Sequence, residues 1–261
     1  MEGLLFFYAV EKEAYLQFVL PFLYFAEKYN PGSKFEIAVV NGDVPKWISD
    51  GLSIMKSPGD ISVYSLESKS TAAISRWLFE PRTPSEFVYT GDIDIMISEP
   101  VAPYHVGRME ECGSCYSNTV RPNNSGRMSG LQFMSREWYA RTRTAREKRI
   151  SNKNSTRGMN DEVVLMDIVR ESGLPVISEP RPVHGVHMSL HRKPFWKSSY
   201  MINVLPDEFR PQFEETVSEA RFKLIVDACP MFRDTLSEFI EYVSGDASES
   251  DFRNAAGPVT G

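Results

Sequence analysis

Two carboxylates placed two positions apart, Asp92 and Asp94, are the residues of this sequence whose spacing points most directly to chemistry. They follow an apolar run at 87–89 that is typical of a strand buried on both faces, and apolar residues resume at Ile95. In extended chain, side chains two apart project from the same side, so these carboxylates would repel each other unless a cation lay between them. A hard divalent ion such as Mg²⁺ or Mn²⁺ would meet that need and could also hold phosphate oxygens. The alternative is a solvated strand end that carries two acids.

A second group of candidate ligands lies much later in the chain. Three of the four histidines, His184, His187 and His191, fall within eight positions and are followed by Arg192 and Lys193. Neutral imidazole is a suitable ligand for Mn²⁺ and adds to a carboxylate pair without adding charge. A lone histidine is more often a hydrogen-bonded core residue, but three so close together, beside two cations, favour a site for a metal and an anion.

The hydrophobic pattern predicts the elements that position these residues. Strands are expected at 4–10, 35–40, 61–66 and 87–89, and helices at 11–29, with a kink or restart at Pro21, and at 71–79. Later in the chain the pattern predicts strands at 113–118, at 131–134 and starting at 176–177, and helices at 136–149 and 159–172. Alternating strands and helices indicate an α/β fold with a mostly parallel sheet, in which ligands sit beyond the carboxyl ends of the strands. Asp92 and Asp94 fall at such an end.

Composition narrows the class of protein. The chain has 261 residues and a formal net charge of −6, so it lacks the basic footprint of a nucleic-acid-binding protein. No long uncharged apolar run predicts a membrane span, and no secretory signal is evident. Three cysteines, an odd number, suit a reducing compartment, and we expect a cytoplasmic protein. A basic run in the helix at 136–149 has two interpretations, a solvated face or a contact with an anionic acceptor or membrane surface.

Taken together, the motifs resemble those of the GT-A-fold nucleotide-sugar glycosyltransferases, closest to the retaining glycogenin and galactosyltransferase-like group of family 8. That family has a DxD motif after an apolar strand, as at 89–94 here, and an upstream helix with an Arg before apolar residues, as at Arg76. Its late signature, a His followed six positions later by Lys-Pro-Trp, is matched by His187 and Lys193, with Phe195 in place of Trp. The similarity covers residues 4–196.

The resemblance implies a role for each matching residue in binding the metal and the donor. Asp94 would bind the metal directly, Asp92 would share the metal and the ribose, and His187 would be the third ligand. Lys193 would help the metal neutralise the leaving nucleoside diphosphate, and Arg76 would hold the diphosphate or the donor sugar. The base pocket would be lined by Ala9, Val10 and Tyr15, and Ser129 and Gln132 stand where the family has its donor-binding Asn. His184 is the alternative metal ligand, and His191 has no counterpart in the family.

Asp161 and Glu162 match the Asp-Gln helix start of the family, although both could simply be acids favoured at a helix N-terminus. The resemblance implies that Asp161 contacts the donor sugar and that Glu162 lies beside its anomeric carbon. Glu162 departs from the family's Gln. A carboxylate there could attack the sugar or deprotonate the acceptor, so the stereochemical course stays open.

These observations predict a metal-dependent glycosyltransferase of the hexosyltransferase type. We expect it to use Mn²⁺ (or Mg²⁺) and to move a sugar from a UDP-linked donor, with retention, to a hydroxyl of a glycan, lipid-linked or protein acceptor. Two alternatives remain, a phosphatase of the haloacid dehalogenase type, which also has Asp-x-Asp after a strand, and a nucleotide-sugar-binding protein without turnover. The expected units are a GT-A catalytic domain at 1–205, a C-terminal helical extension at 206–244 that could form a homodimer, and a disordered tail at 245–261.

Overall fold

The computed structural model describes residues 3–120, 126–152, 156–177, 183–190 and 206–244. In these ranges the strands are β1 Leu4–Val10, β2 Lys34–Val40, β3 Ile61–Leu66, β4 Phe87–Thr90, β5 Ile95–Ile97, β6 Tyr116–Ser117, β7 Gln132–Ser135 and β8 Gly185–His187. The α-helices are α1 Glu13–Leu16, α2 Val19–Tyr29, α3 Lys46–Gly51, α4 Ala72–Leu78, α5 Ala102–Cys112, α6 Arg136–Ser151, α7 Asp161–Glu171, α8 Arg210–Ser218, α9 Ala220–Ala228 and α10 Pro230–Ser244.

The central sheet has six strands in the order β3-β2-β1-β4-β7-β6. The first four strands in this order run parallel, whereas β7 is antiparallel to both β4 and β6. A separate two-stranded sheet pairs β5 with β8. Helices cover both faces of the central sheet, so the predicted α/β architecture with a mostly parallel sheet is confirmed.

Strand β1 is apolar throughout because each of its faces enters a different part of the core. Phe6 and Tyr8 pack with α2, and the Phe6 ring stacks on Phe35 at a centroid distance of 5.2 Å. Leu5 and Phe7 point to the other face, where the buried side chains of α4, α6 and α7 lie. Side chains alternate along a strand, so only a continuous apolar run can fill both layers.

Two of the expected elements differ in the structure. The helix expected at 11–29 is two helices, and the break falls at Gln17 and Phe18, while Pro21 sits in the first turn of α2, where the missing N–H costs nothing. No strand forms at 176–177 in the described chain, where the carbonyl of Ile177 accepts from the amide of Val120 without a ladder on either side. The last strand is instead β8, and α5, which has a weak apolar pattern, is an additional helix.

The C-terminal helices share the core of the sheet domain. Phe213, Phe222 and Phe232 are fully buried among the side chains of α2, and Phe222 makes an edge-to-face contact with Phe25. Glu219, between α8 and α9, accepts hydrogen bonds from Tyr24 and from Lys28. The residues at 206–244 are therefore packed onto α2, whereas the tail at 245–261 lies outside the described residues. No helix in the described chain combines the length and the apolar character needed to cross a membrane.

The basic run of α6 is only partly a solvated face. Arg146 is buried and donates to the carbonyls of Leu78 and Tyr139, and burial lowers the pKa of its guanidinium. Arg149 is also buried and forms a bidentate ion pair with Glu171 of α7, with nitrogen–oxygen distances of 2.7 and 3.0 Å. Arg146 and Arg149 thus hold α6 in the core, which neither interpretation of the sequence foresaw.

We expect Glu219→Gln to destabilise the fold by about 1 kcal/mol at neutral pH. Burial raises the pKa of Glu219, but the hydrogen bonds from Lys28 and Tyr24 outweigh burial and leave that pKa below its ordinary value. A lowered pKa stabilises the fold above the unfolded-state pKa, and this stability is lost as the pH falls through the folded-state pKa. The free energies of unfolding of the wild type and of Glu219→Gln, measured with urea, should therefore converge in acid. Asp207→Asn, at a side chain 95% exposed, is the control, and an equal effect of both substitutions would contradict the prediction.

Candidate functional site

A cavity of about 500 Å³ opens at the carboxyl ends of β1 and β4. Because these strands are parallel neighbours, the residues that follow each of them meet at the same edge of the sheet. The first turns of α1, α4 and α7 and the end of β8 complete the wall. The site is thus assembled from six elements that are far apart in sequence.

The chain turns immediately after β4. The amide of Ile95 donates to the carbonyl of Asp92 at 3.2 Å, so residues 92–94 form a turn and not the extended chain that the spacing predicted. The carboxylates nevertheless lie together. One ligand atom each from Asp92, Asp94 and His187 lie within 4.8 Å of one another.

His187 reaches the acids through backbone pairing. In the β5–β8 sheet His187 lies opposite Ile95, and the amide of Met188 donates to the carbonyl of Asp94 at 2.8 Å. This register leaves His187 Nε2 3.3 Å from Asp94 Oδ1. Gly185 allows the strands to approach, since a Cβ at that position would lie 2.0 Å from the carbonyl oxygen of Met96.

The three side chains fit a single divalent cation. Adjacent ligands of an octahedral ion with bonds of 2.0–2.1 Å lie about 3 Å apart, close to the separation of His187 and Asp94. Asp94 is only 3% exposed, so its charge is poorly screened by water. Burial, followed by the negative charges of Asp94 and Asp92, raises the pKa of Tyr15 to about 12. Two carboxylate oxygens and one imidazole nitrogen can therefore bind a cation that also offsets this charge.

Arg76 is committed to two carboxylates. Its guanidinium donates to Asp92 Oδ1 at 2.8 Å and to Asp161 Oδ2 at 2.7 Å, and it also bonds the carbonyl of Gly91. The side chain is 5% exposed. Burial alone would lower the pKa of the guanidinium, but the two carboxylates overcome this and raise that pKa above its ordinary value. Nη1 of Arg76 already bonds Gly91 and Asp92, and Nη2 already bonds Asp161, so the guanidinium positions these acids. Its contact with the diphosphate or the donor sugar stays a prediction.

The start of α7 supplies another part of the cavity wall. Asp161 and Glu162 both line the cavity, and Asn160 caps the helix by accepting from the amide of Glu162 at 3.0 Å. Gly130 faces them. A Cβ on Gly130 would lie 3.1 Å from Arg76 Nη2 and 3.7 Å from Glu162 Oε1, so this glycine leaves room beside both charges. The predicted helix start is confirmed, and the role of its two acids stays a prediction.

The end of β1 places the predicted base-pocket residues, Ala9, Val10 and Tyr15, in the same cavity. Lys12 also lines it and was not foreseen, although it stands between residues that were. Its backbone φ of 68° is in the left-handed region that non-glycine residues rarely adopt. The only sequence signal was its position directly beyond a buried strand, which is where ligand-binding residues of such sheets lie.

Ser129 and Gln132, the two residues predicted to stand in place of the donor-binding Asn, do not line the cavity. Gln132 is fully buried in β7, where Oε1 accepts from Asn118 at 3.2 Å, and its side chain is not part of the cavity wall. Gln132 is the first residue of β7 and its amide is held by Asn118, whereas Gly130 lies before the strand and lines the cavity. Lys193 lies outside the described residues, as does His191.

His184 does not serve as an alternative ligand for the acids. Its side chain is 1% exposed and lies away from the cavity. Nδ1 is 2.6 Å from Glu99 Oε1, and Nε2 is 2.9 Å from His105 Nε2. Both ring nitrogens are therefore occupied by partners in the described chain.

No family model matches the sequence, and no curated protein matches it. Among solved structures, the glycosyltransferase GlyE of Streptococcus pneumoniae TIGR4 is 12% identical over 88% of this chain and 53% of its own, with a TM-score of 0.49. The galactosyltransferase LgtC, solved with donor and acceptor sugar analogs, is 9% identical over 63% of this chain and 70% of its own, with a TM-score of 0.45.

A 2-C-methyl-D-erythritol 4-phosphate cytidylyltransferase from Thermus thermophilus is also similar, at 17% identity over 72% of this chain and 93% of its own, with a TM-score of 0.42. GlyE and LgtC are GT-A glycosyltransferases of the family 8 type that the motifs resemble. The chain spans about half the length of GlyE. Because every identity is low, function has to be argued from the geometry of the cavity.

We expect Asp94→Asn and His187→Gln each to weaken Mn²⁺ binding at least tenfold, since each removes one of three protein ligands. Both substitutions preserve side-chain size, so the fold should persist. The free Mn²⁺ signal in electron paramagnetic resonance measures the dissociation constant directly. Asp50→Asn, which removes an acid that is 61% exposed on α3, should leave binding unchanged. Wild-type affinity in both ligand variants would contradict the shared cation.

Proposed function

We propose that the protein is a metal-dependent glycosyltransferase that moves a sugar from a UDP-linked donor to a hydroxyl acceptor. The observation that carries the proposal is the meeting of Asp92, Asp94 and His187 in one cavity that Asp161 and Glu162 also line. A cavity of about 500 Å³ is within the range that encloses small-molecule ligands. We propose the identity of the donor, of the metal and of the acceptor together with the activity.

The proposed ion is Mn²⁺, or Mg²⁺, held by Asp92, Asp94 and His187. An imidazole among the ligands favours Mn²⁺ over Mg²⁺, which prefers oxygen. When bound, such an ion supplies Lewis-acid neutralisation of the diphosphate that leaves. Arg76, meanwhile, fixes Asp92 and Asp161 in place through its paired hydrogen bonds.

The charges of the cavity explain why an anionic donor needs a cation. Five carboxylates and only two permanent cations line the described wall, so an empty cavity would repel a diphosphate. Of these two cations, Arg76 is bound to carboxylates, whereas Lys12 has no ion pair with a described residue. Lys12 is therefore the wall residue that we assign to the phosphates, beside the ion. The five carboxylates are Glu11, Asp92, Asp94, Asp161 and Glu162.

Glu162 is the residue that we assign to the anomeric carbon of the donor. Its backbone is fixed by the cap from Asn160, its side chain is 11% exposed, and Gly130 leaves open space beside it. As a nucleophile it would give retention through a glycosyl ester, whereas as a base towards the acceptor it would give inversion. We propose retention, and the anomeric configuration of the product, read by proton NMR, decides between the two.

We expect the wild-type protein to release UDP from a UDP-sugar in the presence of Mn²⁺ and to stop in excess chelator. Asp94→Asn should lower the rate on the order of 100-fold, because it weakens binding of the ion that would neutralise the leaving group. A panel of UDP-sugars with a coupled UDP assay measures this, and Asp50→Asn serves as the control.

The same assay separates the other functions. Phosphate release from a simple phosphate ester would favour the phosphatase. Pyrophosphate release from a nucleoside triphosphate would indicate nucleotidyl transfer. Binding of UDP-sugars with Mn²⁺ but without any turnover, over a panel of hydroxyl acceptors and water, would favour the non-catalytic binding protein. Each of these results would overturn the proposed transferase.

Lys12→Met should weaken the binding of UDP without weakening the binding of Mn²⁺. Loss of the ammonium should weaken UDP binding in the presence of Mn²⁺ about tenfold. It should leave the affinity for Mn²⁺ alone unchanged or higher, because a like charge near the acids is gone. Isothermal titration with UDP and with uridine tests this, and Lys12→Arg should restore UDP binding. Equal losses for uridine and UDP would contradict a phosphate contact.

A further inference from the structure

Strand β8 carries a proposed metal ligand and is short, although its Val186 side chain and the following Met188 are buried in the core. It has three residues, and it pairs only with β5 in a two-stranded sheet. Isolated two-stranded ladders are marginally stable in water, so the pairing alone does not fix the position of His187. The residue before the strand, His184, has a φ of 65°, a left-handed conformation that is costly for a side chain with a Cβ. A surrounding structure must hold it there.

The side chain of His184 is held by a buried chain of hydrogen bonds. Nδ1 lies 2.6 Å from Glu99 Oε1, and Nε2 lies 2.9 Å from Nε2 of His105. Nδ1 of His105 in turn lies 2.8 Å from Ser117 Oγ. His105 is fully buried, while His184 and Ser117 are 1% and 4% exposed, so water does not compete with the two bonds of His105.

With both imidazoles neutral, one arrangement of protons satisfies every bond. An ionised carboxylate only accepts, so His184 donates from Nδ1–H to Glu99 and keeps Nε2 as an acceptor. His105 then donates from Nε2–H to His184 and accepts at Nδ1 from the hydroxyl of Ser117. The bonds run in a single direction, from Ser117 to Glu99, with one proton in each.

The anchors come from three elements that already belong to the core. Glu99 follows β5, His105 lies in α5, and Ser117 lies in β6. The His105 ring also stacks on Phe133 of β7 at a centroid distance of 5.1 Å, and the His184 ring meets Tyr89 of β4 edge-on at 6.1 Å. This chain of hydrogen bonds and ring contacts therefore connects the start of β8 to the central sheet.

Backbone bonds carry this restraint along β8. The carbonyl of His184 accepts from the amide of Ser98 at 2.8 Å, and Met188 bonds Asp94 at the other end of the strand. Side chains alternate along a strand, so a slip of one residue would turn His187 away and present Val186 or Met188 instead. Neither of these replacements can ligate a hard cation through its side chain.

We propose that His184 is the positioning residue for the metal ligand His187. Its bonds to Glu99 and His105 hold the left-handed start of β8 and thereby fix the register that places His187 against Asp94. This inference rests on the proposed metal site, and it adds to that site a buried support with no contact to the ion.

The first test uses His184→Gly in the full chain. Glycine adopts a φ of 65° without strain, so this variant keeps the turn and removes only the anchored side chain. The affinity for Mn²⁺, from electron paramagnetic resonance well below the unfolding temperature, should fall about tenfold, as for other residues that support metal ligands. Asn41→Gly is the matched control, because Asn41 is also left-handed, with a φ of 55°, but lies at the end of β2. It should bind Mn²⁺ like the wild type.

A second pair of variants keeps the test decisive if His184→Gly fails to fold. Glu99→Gln retains an acceptor oxygen for His184 Nδ1–H, whereas Glu99→Ala does not. Glu99 has a side chain 39% exposed, so both should fold. We expect Glu99→Ala to lose Mn²⁺ affinity and Glu99→Gln to retain it. Long-range proton–nitrogen NMR of the imidazoles should show His184 with its proton on Nδ1 and His105 with its proton on Nε2.

The outcomes separate this inference from the proposed function. Wild-type protein that binds no Mn²⁺ would overturn the metal site itself. Wild-type protein that binds Mn²⁺, together with unchanged affinity in His184→Gly and Glu99→Ala, would overturn the positioning role alone. A neutral His184 with its proton on Nε2 would also overturn it, since the hydrogen bonds between neutral imidazoles require the other tautomer.

Discussion

The repulsion among the carboxylates beside β4 is the constraint on which the rest of the site depends. Asp92 and Asp94 follow that strand, Asp161 and Glu162 begin α7, and all four face one cavity. Like charges so close together disfavour their own ionisation unless positive charge is placed among them. Arg76 provides part of that charge by bonding one acid from each element. The remaining negative charge, around Asp94, is what a divalent cation would balance.

Arg76 can bridge the acids because the helix that carries it is fixed by the core. Its neighbours Trp77 and Leu78 are almost fully buried between the sheet and the helices α6 and α7. The guanidinium lies over the Trp77 ring, with its central carbon 4.6 Å from the ring centroid. A buried cation of this kind is stable only with paired anions. The acids and Arg76 therefore hold one another in place, and α4 joins the turn after β4 to the start of α7.

The three proposed metal ligands come together by two different routes. Asp92 and Asp94 are close because they are near in sequence and a turn brings their carboxylates to one side. His187 arrives from the far end of the described sheet domain through its pairing with β5. The first route is local and needs no tertiary contact. The second depends on the register of a three-residue strand, which is why the anchoring of His184 bears on the chemistry.

The sequence by itself determined the parallel core and the acidic end of β4. Continuous apolar runs such as that of β1 are typical of strands buried on both faces, and Asp92, Asp94 and Asp161 stand directly at the ends of predicted elements. Tertiary structure alone decided that residues 92–94 form a turn, that Arg76 is bound by two acids, and that Gln132 faces away while Gly130 and Lys12 line the cavity. Sequence patterns report local geometry and burial, whereas side-chain partners depend on which distant elements pack together. The β5–β8 register that brings His187 to Asp94 is such a packing outcome, and no spacing in the chain encodes it.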